Sequence, residues 1–181
     1  KEMIAQAAQI APGADGLFFS PHLGGRVCPA TPEMRGAWLG FSWGHTLAHF
    51  ARSVLECVAY EYAYYLGILL DLIPNLDLLE ARVVGGGARS PVWNGIKADV
   101  LGVAYQPLMG SEFGSWGSAM IAGKAAGAFD DLASVADEHA VRAEAPIRPN
   151  PDNHETYKTF VAQYIQWQST LQDAFVTTGV V

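Results

Sequence analysis

From Thr46 to Leu72 the apolar residues Leu47, Phe50, Val54, Val58, Tyr62, Tyr65 and Leu69 recur at three- and four-residue steps. That period predicts one long helix with this stripe turned to the core. The other face carries His45, His49, Arg52 and Glu56, and Arg52 and Glu56 stand at the i,i+4 spacing of an ion pair. A second amphipathic pattern starts at Pro151-Asp152-Asn153 and predicts a final helix packed through Tyr157, Phe160, Tyr164 and Trp167. Shorter patterns fill the space between. Residues 2–10 read as a helix ended by Pro12-Gly13, residues 16–21 and 36–41 as strands, and residues 22–29 as an irregular loop. Residues 81–84 read as a buried strand and 103–108 as a further strand, around a helix carrying Trp93, Ile96 and Val100. Residues 114–127, mostly Ala, Gly and Ser, predict a helix that presses its backbone close to a neighbour, and residues 129–149 a short helix and an extended crossing. Helices alternating with short strands mean an α/β fold in one layered domain over residues 1–181.

Half of the 181 residues are hydrophobic, enough for one sizeable core. The longest apolar stretch, near residues 62–72, is broken by Gly67 and Asp71 and falls short of the roughly 20 residues of a spanning helix. No secretory signal is read at Lys1-Glu2-Met3-Ile4, so a cytoplasmic protein without a membrane partner is expected. A net charge of -7, with the 11 basic residues scattered, argues against a nucleic-acid partner. Cys28 and Cys57 match no metal spacing and fit a reducing compartment.

The chemistry concentrates in Val83-Val84-Gly85-Gly86-Gly87-Ala88-Arg89-Ser90-Pro91. A strand runs into three glycines, and Ser90-Pro91 has the form of a helix N-cap followed by proline in the first turn. Bare backbone admits a flat or phosphorylated ligand, and a helix N-terminus attracts anions, so a nucleotide suits the stretch. A plain tight turn in any α/β protein fits it equally. A dinucleotide site is poorly matched, because Ser90 stands where a third glycine is expected. Gly40-Phe41-Ser42-Trp43-Gly44 has the form of a hydrolase elbow, with Ser42 as nucleophile. A triad would need Asp99 or Asp137 with His139 or His154. His45 and His49 lack a third metal ligand.

Several ordered motifs together resemble the C-terminal part of the FGGY carbohydrate kinases. Pro12-Gly13-Ala14-Asp15-Gly16-Leu17 with Pro21, Gly25-Arg26 and Pro29 looks like the family's PGADGL segment and its G-x-R-x-P. Gly36-x-Trp38-x-Gly40 followed by His49-Phe50-x-x-Ser53-Val54-Leu55-Glu56 looks like its second signature, with Phe41 where an aliphatic residue is usual. Gly85-Gly86-Gly87-Ala88-Arg89-Ser90 with Trp93 is most similar to the xylulokinase branch. Gly95 in place of Gln, Gly25-Arg26-Val27 in place of Gly-Glu-Arg, and Trp116-Gly117-Ser118-Ala119-Met120 near the usual Leu-Gly-Gly-Ala-Ala depart from it. They leave gluconate, ribulose and glycerol open as substrates beside xylulose.

The resemblance implies an actin-like ATPase lobe of ribonuclease-H type, the second lobe of a sugar kinase whose N-terminal lobe is absent here. ATP and Mg²⁺ are the implied cofactors, held mainly by upstream residues, and the general-base aspartate is expected upstream. The adenosine side is assigned to Gly85, Gly86, Gly87, Ala88 and Ser90, with no metal ligand in this chain. Glu112 is either a group orienting the adenine or a solvated loop acid. An exposed aromatic face on the last helix would serve a homodimer or cover the sheet. The chain alone is expected to lack kinase activity. A non-catalytic actin-like module and, last, the Ser42 hydrolase are the alternatives.

Overall fold

The computed structural model describes residues 2–142 and 145–179. The chain is built on the long helix α2 (Leu47–Leu72), entered through Thr46 as N-cap. The His49 side chain replies to the Thr46 backbone in a capping-box arrangement, which satisfies free N–H groups of the first turn. Before it come α1 (Glu2–Ala7), β1 (Phe18–Ser20) and β2 (Ala37–Leu39). After it come β3 (Glu80–Val83), α3 (Pro91–Leu101), β4 (Ala104–Pro107), α4 (Phe113–Ala125), α5 (Leu132–His139) and α6 (Pro151–Thr178). α2 packs against α1, β1, α3 and α6, and the apolar core lies among Phe18, Phe19, Cys57, Tyr60, Ile96, Tyr157 and Tyr164.

The buried face of α2 is not the expected stripe. Leu47 is 77% exposed, Tyr62 42% and Leu69 40%, whereas Arg52, Ser53, Glu56, Cys57, Ala59, Tyr60 and Glu61 are buried. Charge can occupy that face because each polar group finds partners there. The Glu56 carboxylate accepts from Gly13 N–H at 3.0 and 3.1 Å, from Arg52 Nε at 2.6 Å, from Tyr60 O–H at 3.1 Å and from Tyr157 O–H at 2.7 Å. One turn on, Glu61 accepts from Arg26 Nε at 3.0 Å and from Tyr164 O–H at 2.8 Å. The i,i+4 pair of Arg52 and Glu56 therefore forms as expected, on the opposite side of the helix from the one expected.

The α/β class holds, but the strands do not share one layer. β1 and β2 pair antiparallel, with Phe19 opposite Trp38, and β3 and β4 pair parallel, with Glu80 opposite Ala104 and Val83 opposite Pro107. On α6, capped by Asn150, Tyr157 and Tyr164 are fully buried as expected, while Trp167 is 41% exposed. None of the residues of α4 is buried, and an added Cβ at Gly114 or Gly117 would meet nothing within 4 Å. The expected close approach is confined to Gly123, which lies under the Phe129 ring. Cys28 is exposed and Cys57 buried, and both are free thiols. Among the described residues no helix is long and apolar enough to cross a membrane.

Candidate functional site

The parallel pair β3–β4 directs both strands to the same end, and the glycine turn leaves β3 there. Ligands of α/β sheets gather at the carboxyl ends of strands. Gly85 has φ +84, a left-handed backbone that an L side chain strains. Gly86 has φ -62 and ψ -41, ordinary helical values, and a single 3-10 turn spans Gly87–Arg89. Ser90 then caps α3, its hydroxyl oxygen accepting from Trp93 N–H at 3.3 Å, with Pro91 in the first turn. The buried Asn94 donates from Nδ2 to the Ala88 carbonyl at 2.7 Å, and Trp93 Nε1 donates to the Leu55 carbonyl at 3.0 Å. The first bond pins the turn to α3; the second pins α3 to α2.

The three glycines are needed for different reasons. Gly87 lies against its own helix, for a Cβ there would come 2.8 Å from the Trp93 ring. Around Gly85 and Gly86 such an atom would meet nothing within 4 Å. The turn thus presents bare, open backbone at Gly85 and Gly86, with Gly87 and Ala88 forming the wall of a cleft of about 440 Å³. Tyr62 of α2, Val84, and Trp93 and Lys97 of α3 complete that wall. Of the expected residues, the structure brings Gly85, Gly86, Gly87 and Ala88 together at one corner, and commits the Ser90 oxygen to the helix cap. The sequence reading missed Lys97. Its one signal is a lysine four residues after Trp93 on the apolar face that carries Ile96 and Val100.

A second hollow, of about 480 Å³, follows β4 and is lined by Gly110, Glu112, Phe113, Trp116 and His139. The Trp116 and His139 rings lie 4.3 Å apart between α4 and α5. Glu112 stands at the N-cap of α4 with φ +59 and is exposed. Ser42 Oγ lies 3.2 Å from His45 Nδ1, but the same nitrogen accepts from Ser42 N–H at 2.9 Å, and His45 Nε2 faces the Asp15 carbonyl at 3.3 Å. The acids considered for a triad are engaged elsewhere: Asp99 accepts from Asn150 and Asn153, and Asp137 pairs with Arg82. Among the described residues no carboxylate is bonded to the His45 ring, so the elbow pattern is not completed to a triad. Among the described residues no group of three or more His, Cys, Asp or Glu could hold a metal ion.

Residues 1–126 match the family described as FGGY family of carbohydrate kinases, C-terminal domain. The chain belongs to that family. It is 32% identical over 165 residues to a xylulose kinase of Staphylococcus epidermidis, covering 91% of this chain and 33% of the relative. A gluconokinase of Bacillus subtilis is 27% identical over 170 residues, covering 93% and 33%. Among solved structures, the xylulose kinase of Rhodospirillum rubrum superposes with a TM-score of 0.80 at 32% identity, over 96% of this chain and 34% of that one. The chain thus spans about a third of the length of these FGGY relatives, and it has their actin-like ATPase fold as a C-terminal domain fragment.

Proposed function

We propose that the chain supplies the adenosine side of the ATP site in a cytoplasmic sugar kinase, and that the sugar is a ketopentose, D-xylulose first, converted to xylulose 5-phosphate. The observation that carries this reading is Gly86, a residue in helical backbone where an added Cβ would meet nothing within 4 Å, just past the carboxyl end of a parallel strand. Neither backbone geometry nor packing accounts for a glycine there; room for a ligand does. Gly85, Gly87 and Ala88 shape the same shelf, and the Ser90 cap presents the start of α3 toward phosphate.

Phosphoryl transfer depends on positioning and charge stabilisation, and the aspartate that takes the sugar proton is assigned to residues outside this chain. Mg²⁺ is assigned mainly to upstream residues together with the phosphates of the nucleotide. What supports the sugar is kinship: a xylulose kinase is 32% identical over 91% of this chain, a gluconokinase 27% over 93% and a glycerol kinase 34% over 75%.

Gly86→Val tests the nucleotide assignment, because the Cβ it adds meets nothing within 4 Å in the free protein and stands in the space assigned to the ligand. ADP binding measured by calorimetry is expected to fall at least about tenfold, roughly 1.4 kcal/mol, with the melting temperature no lower than that of wild type. Equal binding by variant and wild type would place the chain among non-catalytic modules. The sugar is decided by comparing kcat/KM for xylulose, ribulose, gluconate and glycerol in the protein with its upstream lobe. A winner other than xylulose overturns that part.

A further inference from the structure

Lys97 is 5% exposed, yet among the described residues its ammonium makes no ion pair and no hydrogen bond. Its Nζ lies 4.5 Å from the centre of the Trp93 ring and 5.2 Å from that of Tyr105. Two aromatic faces soften the burial of a cation without replacing an anion. Burial lowers its pKa, as desolvation of an unpaired ammonium must. The other cation on the wall of the same cleft, Arg82, is already committed, to Glu80 at 3.2 Å and Asp137 at 3.1 Å. Lys97 thus stands without an anionic partner in a cleft that Gly87 and Ala88 of the glycine turn also line.

We propose that Lys97 is a phosphate-binding residue of this site, its ammonium pairing with a phosphate oxygen of a nucleotide seated across Gly86 to Ala88. The inference rests on the nucleotide reading above and adds to it the group that receives the charge. A cleft of about 440 Å³ is of the size small-molecule ligands occupy. Its aromatic walls accept a planar base, and the ammonium supplies the counter-charge that buried lysines normally find within the protein. Without ligand the cation–π contacts hold the side chain against Trp93. With a phosphate present the same ammonium gains a charge-assisted hydrogen bond.

Calorimetry on the chain with ADP, adenosine and inorganic phosphate separates the contributions. Wild type is expected to bind ADP about tenfold to hundredfold more tightly than adenosine, the range one charge-assisted bond gives. Lys97→Met should abolish that preference while leaving adenosine unchanged, and Lys97→Arg should keep most of it. As a readout that needs no variant, bound ADP should protect Lys97 from an amine-acylating reagent, followed by peptide mass spectrometry, and adenosine should not. ADP binding that Lys97→Met leaves unchanged, or acylation of Lys97 that ADP leaves unchanged, overturns the inference and spares the nucleotide reading. Protection by inorganic phosphate but by neither nucleoside nor nucleotide overturns both, leaving a simple anion site. Absence of any ADP and adenosine binding to wild type also overturns both.

Discussion

The carboxylate of Glu56 and the hydroxyl of Tyr157, 101 residues apart in sequence, meet at 2.7 Å and join α2 to α6. Tyr157 also accepts from Arg52 at 2.7 Å, so a buried cation, a buried anion and a phenol close one network in which each supports the others. Glu56→Ala leaves Arg52 Nε, the Tyr60 and Tyr157 hydroxyls and the Gly13 amide without their carboxylate acceptor, and the buried guanidinium without its counter-charge. Breaking a buried pair in this way costs about 3–5 kcal/mol. Urea unfolding of the variant is expected to show a loss of that order, and a loss below about 1 kcal/mol would mean that the network contributes little.

The neighbouring acid gives the fold an acid limit. Burial alone would raise the Glu61 pKa, but hydrogen bonds from His22, Tyr65 and Tyr164 and the charge of Arg26 outweigh it and hold the group at about 2. A folded pKa below the unfolded value means stability that is complete above the unfolded pKa of about 4.3 and is lost as pH falls toward 2. Over that window the contribution is of order 3 kcal/mol. Denaturant midpoints measured from pH 6 to pH 2 should fall for wild type and run flatter for Glu61→Gln.

Helix starts were legible in sequence: the pattern from Thr46, the Ser90-Pro91 cap and the start at Pro151 all fall where α2, α3 and α6 begin, and the structure adds Thr46 and Asn150 as caps. The glycine turn was legible for the same reason, since its chemistry is local. The buried face of α2 was not. Its partners are the Gly13 amide, Arg26, Tyr157 and Tyr164, remote in sequence, and periodicity assigns charged residues to solvent unless such partners are known. Lys97 was not legible because a single lysine on an apolar helix face resembles one that extends its ammonium to bulk water, whereas here it lies over the rings of Trp93 and Tyr105 at a cleft.

The 181-residue chain alone is expected to transfer no phosphate from ATP to xylulose. Transfer needs a base within hydrogen-bond reach of the sugar hydroxyl, and the family resemblance assigns that aspartate to residues outside this chain. A coupled ADP-release assay with xylulose checks this, and turnover above the uncatalysed background would refute it.

A series of alanines through the glycine turn should separate backbone need from ligand need. At Gly85 the φ of +84 makes any Cβ costly, so Gly85→Ala is expected to destabilise by about 1–2 kcal/mol. At Gly87 the new methyl would come 2.8 Å from the Trp93 ring, which is tethered by its bond to Leu55, so the ring must shift against α2. Overpacking of that kind costs about 1–3 kcal/mol. Gly86→Ala meets no atom within 4 Å and keeps a helical φ and ψ. It should stabilise by about 0.4–1 kcal/mol through the unfolded state. Thermal unfolding of the three variants gives the order Gly86→Ala above wild type above the other two. Destabilisation by Gly86→Ala would show that folding itself requires this glycine, and would remove the reason for assigning the open space above it to a ligand.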